Sequence, residues 1–427
     1  MAIYYIDVLN GNNENTGHSE DSPLKSEKDI ALKPGDTVLF KRGSFIRDRL
    51  YNISGEEGKP ITYGAYGEGE KPTFCGSVSL DSEDLWYEET ENIWVTEAIE
   101  NDEVGNFVFD DSASYGTLRW TKEELKEQGD FYDECFGYLE KHVGEIPQIH
   151  KVYLYSIGNP ASVYKSIECV TFAERILADN GHDMNFKDLK FINSGVHAIA
   201  GGAKSRNIKV ENCEFKNIGG CVWEYGLKIR FGNAVEFWDV AENIEITKCL
   251  FDNIYDSAVT HQGDARSCQS AKNFIVTNNI FKKCGMAAYE QRDKLPICSK
   301  FNNNICVDAG EGFSKQGEIM PRRSEIWPEP MGHHVFLWRI EEKTDGGSLE
   351  IKNNIFYNAP YGAAIYSIIS QDAEKQIDLQ GNSYYTENRN LINRWNGVDY
   401  KAFEEYSSVE KNAKYEKADL EKLVVRV

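Results

Sequence analysis

Paired-cysteine chemistry is missing from this 427-residue chain. Its ten cysteines form no CxxC pair and no zinc-type spacing, so neither a zinc ribbon nor a thioredoxin-like redox motif is written into it. Most stand inside apolar strand patterns, as in Glu211-Asn212-Cys213-Glu214-Phe215. They read as free, buried, small hydrophobes, which fits a reducing compartment better than an oxidising one. Basic residues are in the minority, 47 Lys and Arg against 69 Asp and Glu, for a formal charge of -22. A surface this acidic repels phosphate backbones and excludes the usual electrostatic basis for a nucleic-acid partner. It also disfavours unassisted binding of polyanions. Long apolar runs are absent, so no membrane-spanning partner role is expected. A leader pattern is absent too: Met1-Ala2-Ile3-Tyr4-Tyr5 passes straight into a strand pattern. The expectation is a cytoplasmic protein, or an exported one whose signal has been removed.

What is present is a repeat. Phe186-Lys-Asp-Leu189-Lys-Phe191 is followed by Val210-Glu-Asn-Cys213-Glu-Phe215, Ile246-Thr-Lys-Cys249-Leu-Phe251 and Val276-Thr-Asn-Asn279-Ile-Phe281. Phe301-Asn-Asn-Asn304-Ile-Cys306, Ile351-Lys-Asn-Asn354-Ile-Phe356 and Leu379-Gln-Gly-Asn382-Ser-Tyr384 complete the series. The fourth positions are 24, 36, 30, 25, 50 and 28 residues apart. A turn of a parallel β-helix takes roughly 20 to 30 residues, and the longer intervals imply loop insertions. Stacking would place equivalent Phe and Ile residues above one another at the strand spacing of about 4.8 Å. Asn279, Asn304, Asn354 and Asn382 suit a tight bend, through amide bonds to the backbone and tolerance of left-handed φ. These asparagines are therefore read as shaping the fold. A propeller repeats at about 40 to 50 residues with four strands per blade, and period-2 alternation excludes a helical solenoid.

The expectation is an all-β, right-handed parallel β-helix forming a single domain over 1–427. Residues 1–80 read as an N-terminal cap and first coils, and 81–180 as coils with a helical insertion near 121–142. Thr121-Lys-Glu-Glu124 supplies a capping box for that helix. Residues 181–395 read as the main coils and 396–427 as a C-terminal cap or tail, with a helix expected from 400 to 423, that closes the solenoid end.

Tyr4-Tyr-Ile-Asp7, Asn10-Gly11, Lys33-Pro-Gly-Asp-Thr-Val38, Lys41-Arg-Gly43 and Lys59-Pro-Ile-Thr-Tyr-Gly-Ala-Tyr-Gly67 occur together. With Phe131-Tyr132-Asp133, Val152-Tyr-Leu-Tyr155 and Gly158-Asn-Pro160, they resemble the bacterial right-handed parallel β-helix repeat proteins of the pectate-lyase-like superfamily. The resemblance covers nearly the whole chain. It implies a β-helix and a carbohydrate substrate; across the superfamily the reaction is hydrolysis, lyase elimination, epimerisation or ester cleavage, and phage tailspikes share the fold. The calcium-site and basic-residue signatures of pectate lyases and the paired-aspartate motif of polygalacturonases are not evident.

Chemistry concentrates in 223–292. If Ala234-Val235, Ala258-Val259 and Ala287-Ala288 share one strand position on successive coils, the polar residues after them cluster on one side. Glu236, Asp256, His261 and Glu290 are then the catalytic candidates, with Asp239 behind them. Trp223, Arg230, Asn233, Trp238, Gln262, Asp264, Tyr289 and Arg292 are the substrate-binding candidates. Glycoside hydrolysis needs two carboxyl groups flanking the scissile bond, and close carboxylates on adjacent coils can separate their pKa values. His261 could orient a carboxylate or bond a sugar hydroxyl, and Trp223, Trp238 and Tyr289 could stack on sugar rings.

Each has a plainer alternative. Glu236 could be a solvated strand residue, Asp256 a turn residue bonding its own backbone and His261 a satisfied inner-face histidine. Glu290 with Arg292 could be a surface ion pair, and Trp238 packing. Asp239 and Asp264 fit ordinary loop positions. A second polar stretch, Met320-Pro-Arg322-Arg323 through His333-His334 to Trp338-Arg339, lies in the long interval; His333-His334 could reach over the groove, although adjacent strand residues point to opposite faces.

The first reading is a glycoside hydrolase acting on a polysaccharide or oligosaccharide, with no cofactor and no metal. The second is a polysaccharide lyase, with calcium as its cofactor and Arg230, His261, Tyr289 or Arg292 as its basic group. The third is a non-catalytic carbohydrate-binding scaffold. An oligomer is compatible with each.

Overall fold

The computed structural model describes residues 1–136, 149–171, 176–177, 181–202, 204–263, 270–315, 331–386, 391–417 and 419. Three long sheets form the solenoid; the first coils supply only the first two, and from Ile176 through the main coils the chain gives one strand to each in turn apart from one hairpin. One coil, for example, comprises Glu242–Thr247 in the first sheet, Leu250–Ile254 in the second and Ser257–Gln262 in the third. The next comprises Lys272–Thr277, Ile280–Cys284 and Ala287–Arg292, each parallel to its predecessor. The chain is thus a parallel β-helix. Strand alternation explains it: Ile244 and Ile246 point inward while Glu242 and Glu245 remain outside, and a coil two or three strands long can bury that apolar edge only against neighbouring coils. One apolar cluster extends from Ile6 to Tyr406.

Stacking is visible side chain by side chain. The rings of Phe74, Phe191, Phe215, Phe251 and Phe281 lie in one column, with successive centroids 5.6, 5.4, 4.8 and 4.8 Å apart. Cys306 takes the next place, followed by Phe356 and Tyr384. At the bend between first and second sheets the repeat asparagines form a buried ladder. Cys249 N donates to Asn279 Oδ1 (2.9 Å), Asn279 N to Asn304 Oδ1 (3.0 Å), Asn304 N to Asn354 Oδ1 (2.9 Å) and Asn354 N to Asn382 Oδ1 (2.9 Å). Their Nδ2 groups donate to Ile246, Val276, Phe301 and Ile351 carbonyls of the preceding coils. Glu410 ends the ladder by accepting from Asn382 N at 2.8 Å. The left-handed backbone lies one residue earlier than expected: positive φ belongs to Asp188, Asn212, Lys248, Asn278, Asn303, Asn353 and Gly381. Each ladder asparagine turns its amide into the coil, and its more exposed predecessor takes the turn.

Several expectations need correction. Strands Ile61–Tyr66 and Thr73–Cys75 pair directly with His182–Lys187 and Lys190–Ile192. Residues 77–171 therefore interrupt the solenoid between adjacent coils, and they form two further, mainly antiparallel sheets instead of coils. These sheets have their own core, including Trp86, Phe107, Phe109, Phe131 and Leu154. Of the helix expected near 121–142, the described residues 121–136 form only a 3-10 turn, Lys122–Glu124; Glu124 does fold back to accept from Thr121 N, but Asp130–Asp133 is a strand. Residues 137–142 lie outside the described residues. The apolar sequence after the box, Phe131-Tyr132, finds a sheet to join, and tertiary pairing overrides the local start signal. The described residues of the tail, too, hold only one helical turn, Phe403–Tyr406, followed by strand Lys414–Tyr415 on the second sheet. Cys298 is exposed, whereas Cys75, Cys135, Cys169, Cys213, Cys221, Cys249, Cys284 and Cys306 are free and buried. Among the described residues no helix is long and apolar enough to cross a membrane.

Candidate active site

The third sheet carries the candidate residues, and its register sorts them. Val235, Val259, Tyr289 and Val335 occupy one inward row. Ala234, Ala258 and Ala288 are therefore equivalent, and the alignment of Ala287-Ala288 with the earlier pairs is out by one residue. That shift matters, because a one-residue slip exchanges the faces of a strand. Glu236, Thr260, Glu290, Phe336 and Tyr366 form the adjacent row, and Trp238, Gln262, Arg292, Trp338 and Ile368 the next row of the same parity.

Two candidates are thereby lost to the interior. Tyr289 is fully buried, stacks on Phe301 at 5.0 Å and donates to Gln291 Oε1 at 3.3 Å. It offers no face to a sugar, and burial pushes its hydroxyl well above its ordinary pKa. His261 is fully buried also, with Nε2 3.0 Å from the Asp239 carbonyl and Nδ1 3.1 Å from Gln291 Nε2. Burial lowers its pKa to about 4, against the two hydrogen bonds that raise it. It is the satisfied inner-face histidine, not a catalytic or sugar-binding group. Asp239 sits in a left-handed turn (φ 64°).

Arg230 is a clasp. Its Nε donates to Gly220 O at 2.6 Å and its Nη2 to Gly105 O at 2.8 Å, and its guanidinium lies 4.5 Å from the Tyr255 ring centroid. It ties the hairpin formed by Val222–Glu224 and Ile229–Arg230 to the inserted sheets and is itself buried, which makes it a structural clasp in this arrangement. Arg292 remains on the outer face, bonded to Gln262 Oε1 and 3.2 Å from Asp293 Oδ2.

Glu236, Asp256 and Glu290 belong to three successive coils at the start of the third sheet. Glu236 and Glu290 share a row with only Thr260 between them, two rungs or about 10 Å apart at the Cα atoms. Glu290 is buried and accepts from Trp338 Nε1 at 2.7 Å, so the plainer alternative of a solvated surface ion pair does not describe its surroundings. Asn233 joins the first two coils: its Nδ2 donates to Glu236 Oε2 at 2.6 Å, and its Oδ1 accepts from Ser257 N at 2.9 Å. Asp256 Oδ1 accepts from that same Ser257 N at 2.9 Å. His197, one coil earlier, was not among the sequence candidates. Its Nδ1 is 3.1 Å from both Glu236 Oε2 and Asn233 N. Gly195-Val196-His197 carries no motif, and only the register reveals that His197 precedes Asn233 in the same column.

Aromatic surface flanks this group. Trp238 is 55% and Trp223 63% exposed. Trp223 sits on the clasped hairpin with its ring edge-on to Phe231 at 5.2 Å. Asp264 and the Met320–Arg323 stretch lie outside the described residues. His333 and His334 do not reach over a groove: both are buried, with rings stacked on Tyr366 (4.5 Å) and Phe356 (5.6 Å) respectively. Burial lowers the pKa of each to about 3.

No family model matches the chain. A stretch of 78 residues is 40% identical to the lacto-N-biosidase of Bifidobacterium longum subsp. longum; it covers 16% of this chain and 5% of that protein. Among solved structures, the chain is similar to a GH136 lacto-N-biosidase from Eubacterium ramulus (15% identity, TM-score 0.47, 97% of this chain and 67% of that one). It is also similar to a protein described as a glycoside hydrolase (10% identity, TM-score 0.49, 97% of both chains). An alginate lyase from a Paenibacillus species is a third (10% identity, TM-score 0.45, 84% and 83%).

Proposed function

We propose that this protein is a glycoside hydrolase whose reacting carboxyl groups are drawn from Glu236, Asp256 and Glu290. The observation that carries the reading is their placement on three successive rungs at one corner of the solenoid, beside exposed tryptophans. Hydrolysis of a glycosidic bond asks one carboxyl group to protonate the leaving oxygen and another to activate water or attack the sugar carbon. Glu236 and Asp256 are the favoured pair, because Asn233 and the Ser257 amide hold both side chains from one point. Trp238 and Trp223 supply the apolar faces on which sugar rings stack. The local likeness to a lacto-N-biosidase agrees with a glycosidase and places lacto-N-biose-containing oligosaccharides on the substrate panel. The lyase reading loses three of its four candidate bases: Arg230 is bonded to carbonyls, and His261 and Tyr289 lie inside the solenoid, while Arg292 stays on the outer face beside Asp293.

The test is a panel of neutral and uronate saccharides and aryl glycosides, with calcium and with chelator, in which reducing ends and ultraviolet absorbance are read together. Reducing ends without absorbance growth, lost by about a hundredfold or more in Glu236→Gln or Asp256→Asn, support the hydrolase. Absorbance growth that survives both substitutions moves the chemistry to a lyase.

A further inference from the structure

The inserted sheets bring Asp133, Cys135 and His150 together in the protein interior. A carboxylate oxygen, the thiol sulfur and a ring nitrogen lie within 4.8 Å of one another, and all three residues are buried. The cluster is built on paired strands: Asp130–Asp133 runs antiparallel to Val152–Tyr155, with Asp133 opposite Val152. Asp133 is fixed at both oxygens, Oδ2 accepting from Val104 N and Oδ1 from Cys135 N, each at 2.8 Å. The second of these bonds turns Cys135 back toward the carboxylate. His150 Nε2 is 3.3 Å from Asp133 Oδ1. A second observation points to a ligand. Glu103, fully buried and next to Val104, uses Oε1 to accept from Val222 N at 3.0 Å. Its Oε2 is sealed from solvent and has no hydrogen bond among the described residues. Glu103 lies within electrostatic range of Asp133 and of Cys135.

We propose that Asp133, Cys135 and His150 bind a divalent metal ion of the zinc class, with the Glu103 carboxyl beside the site. One sulfur, one imidazole and one carboxylate suit zinc and not the all-oxygen shells of calcium or magnesium. A buried cation would balance negative charge that the fold has withdrawn from water. The plainer alternative is a buried Asp–His pair packed beside a thiol. Because Glu103 also holds Val222, at the start of the Trp223 hairpin, the ion would fasten the inserted sheets beneath that hairpin. The spacing Asp133-x-Cys135 with a distant His150 matches no common zinc signature, which is why the sequence reading expected no metal.

The test uses the full chain, loaded separately with zinc and cobalt(II) chloride and then freed of unbound ion. The expected result is about one equivalent of metal per chain. The cobalt form should show a thiolate-to-cobalt charge-transfer band, and metal content should fall about tenfold or more in Cys135→Ser and His150→Ala. Cobalt retained without a thiolate band, or unchanged metal content in either variant, overturns the proposal. So does wild-type protein holding less than about a tenth of an equivalent. The wild-type spectrum decides the matter even where the variants fold poorly.

Discussion

Asn233 joins two carboxylate-bearing coils, with one end of its amide on Glu236 and the other on the Ser257 amide that also bonds Asp256. Residues at such a junction are tested by contrast with their buried neighbours. Glu236→Gln is expected to lower kcat by about 10²–10⁴-fold, while Tyr289→Phe, altering an interior hydroxyl, should leave kcat and KM within about twofold. Steady-state kinetics on one oligosaccharide measure both. Trp238→Ala should raise KM by roughly tenfold with kcat little changed, as loss of a stacking platform removes binding common to ground and transition states. At this scale the sequence was legible for the placement of Glu236, Asp256 and Glu290 on successive coils and misleading for Tyr289 and His261. Ala287-Ala288 looks like Ala258-Val259, yet the true partner is Ala288-Tyr289. One residue of slip moved an aromatic from groove to core. His197 could not be read at all, because its contact with Glu236 crosses one coil.

Elements of the solenoid are held by repetition. Each ladder asparagine accepts from the backbone of the coil before it and donates to a carbonyl of that same coil, so Asn354→Ala would leave Asn304 N and Phe301 O without their partners. Buried groups stripped of partners cost about 1–3 kcal/mol each, so a loss of about 2–4 kcal/mol is expected, read as a lowered urea midpoint. An unchanged midpoint would show that the ladder contributes little. The ladder was visible in the sequence because Asn recurs at one position. The inserted sheets were not, since their strands are short, antiparallel and paired between distant segments, and a capping box with no apolar 3.6-residue period after it could not sustain a helix.

Across the whole molecule, buried histidines couple the fold to pH. His261 has its pKa lowered by burial from 6.5 to about 4, and His333 and His334 are lowered to about 3. Between these values and 6.5 the unfolded chain binds protons that the folded chain refuses, so stability is fully present above pH 6.5 and falls as pH drops through that window. One such group changes stability by up to about 1.4 kcal/mol per pH unit. Denaturant melts from pH 7 to 4 should show a shallower decline for His261→Gln than for wild type; parallel curves would remove His261 from the account. This dependence was hidden in the sequence for the reason that hid the site. Whether a histidine on a strand faces a groove or a core depends on register, and register belongs to the stack of coils as a whole.

The most direct measurement of the central claim is a crystal structure of the Glu236→Gln protein with the best oligosaccharide substrate from the panel. A sugar seated over the outer face of the third sheet is predicted, with its scissile bond beside position 236 and the Asp256 and Glu290 carboxyls, and a ring against Trp238. A saccharide bound on another face of the solenoid, away from all three carboxylates, would contradict the account.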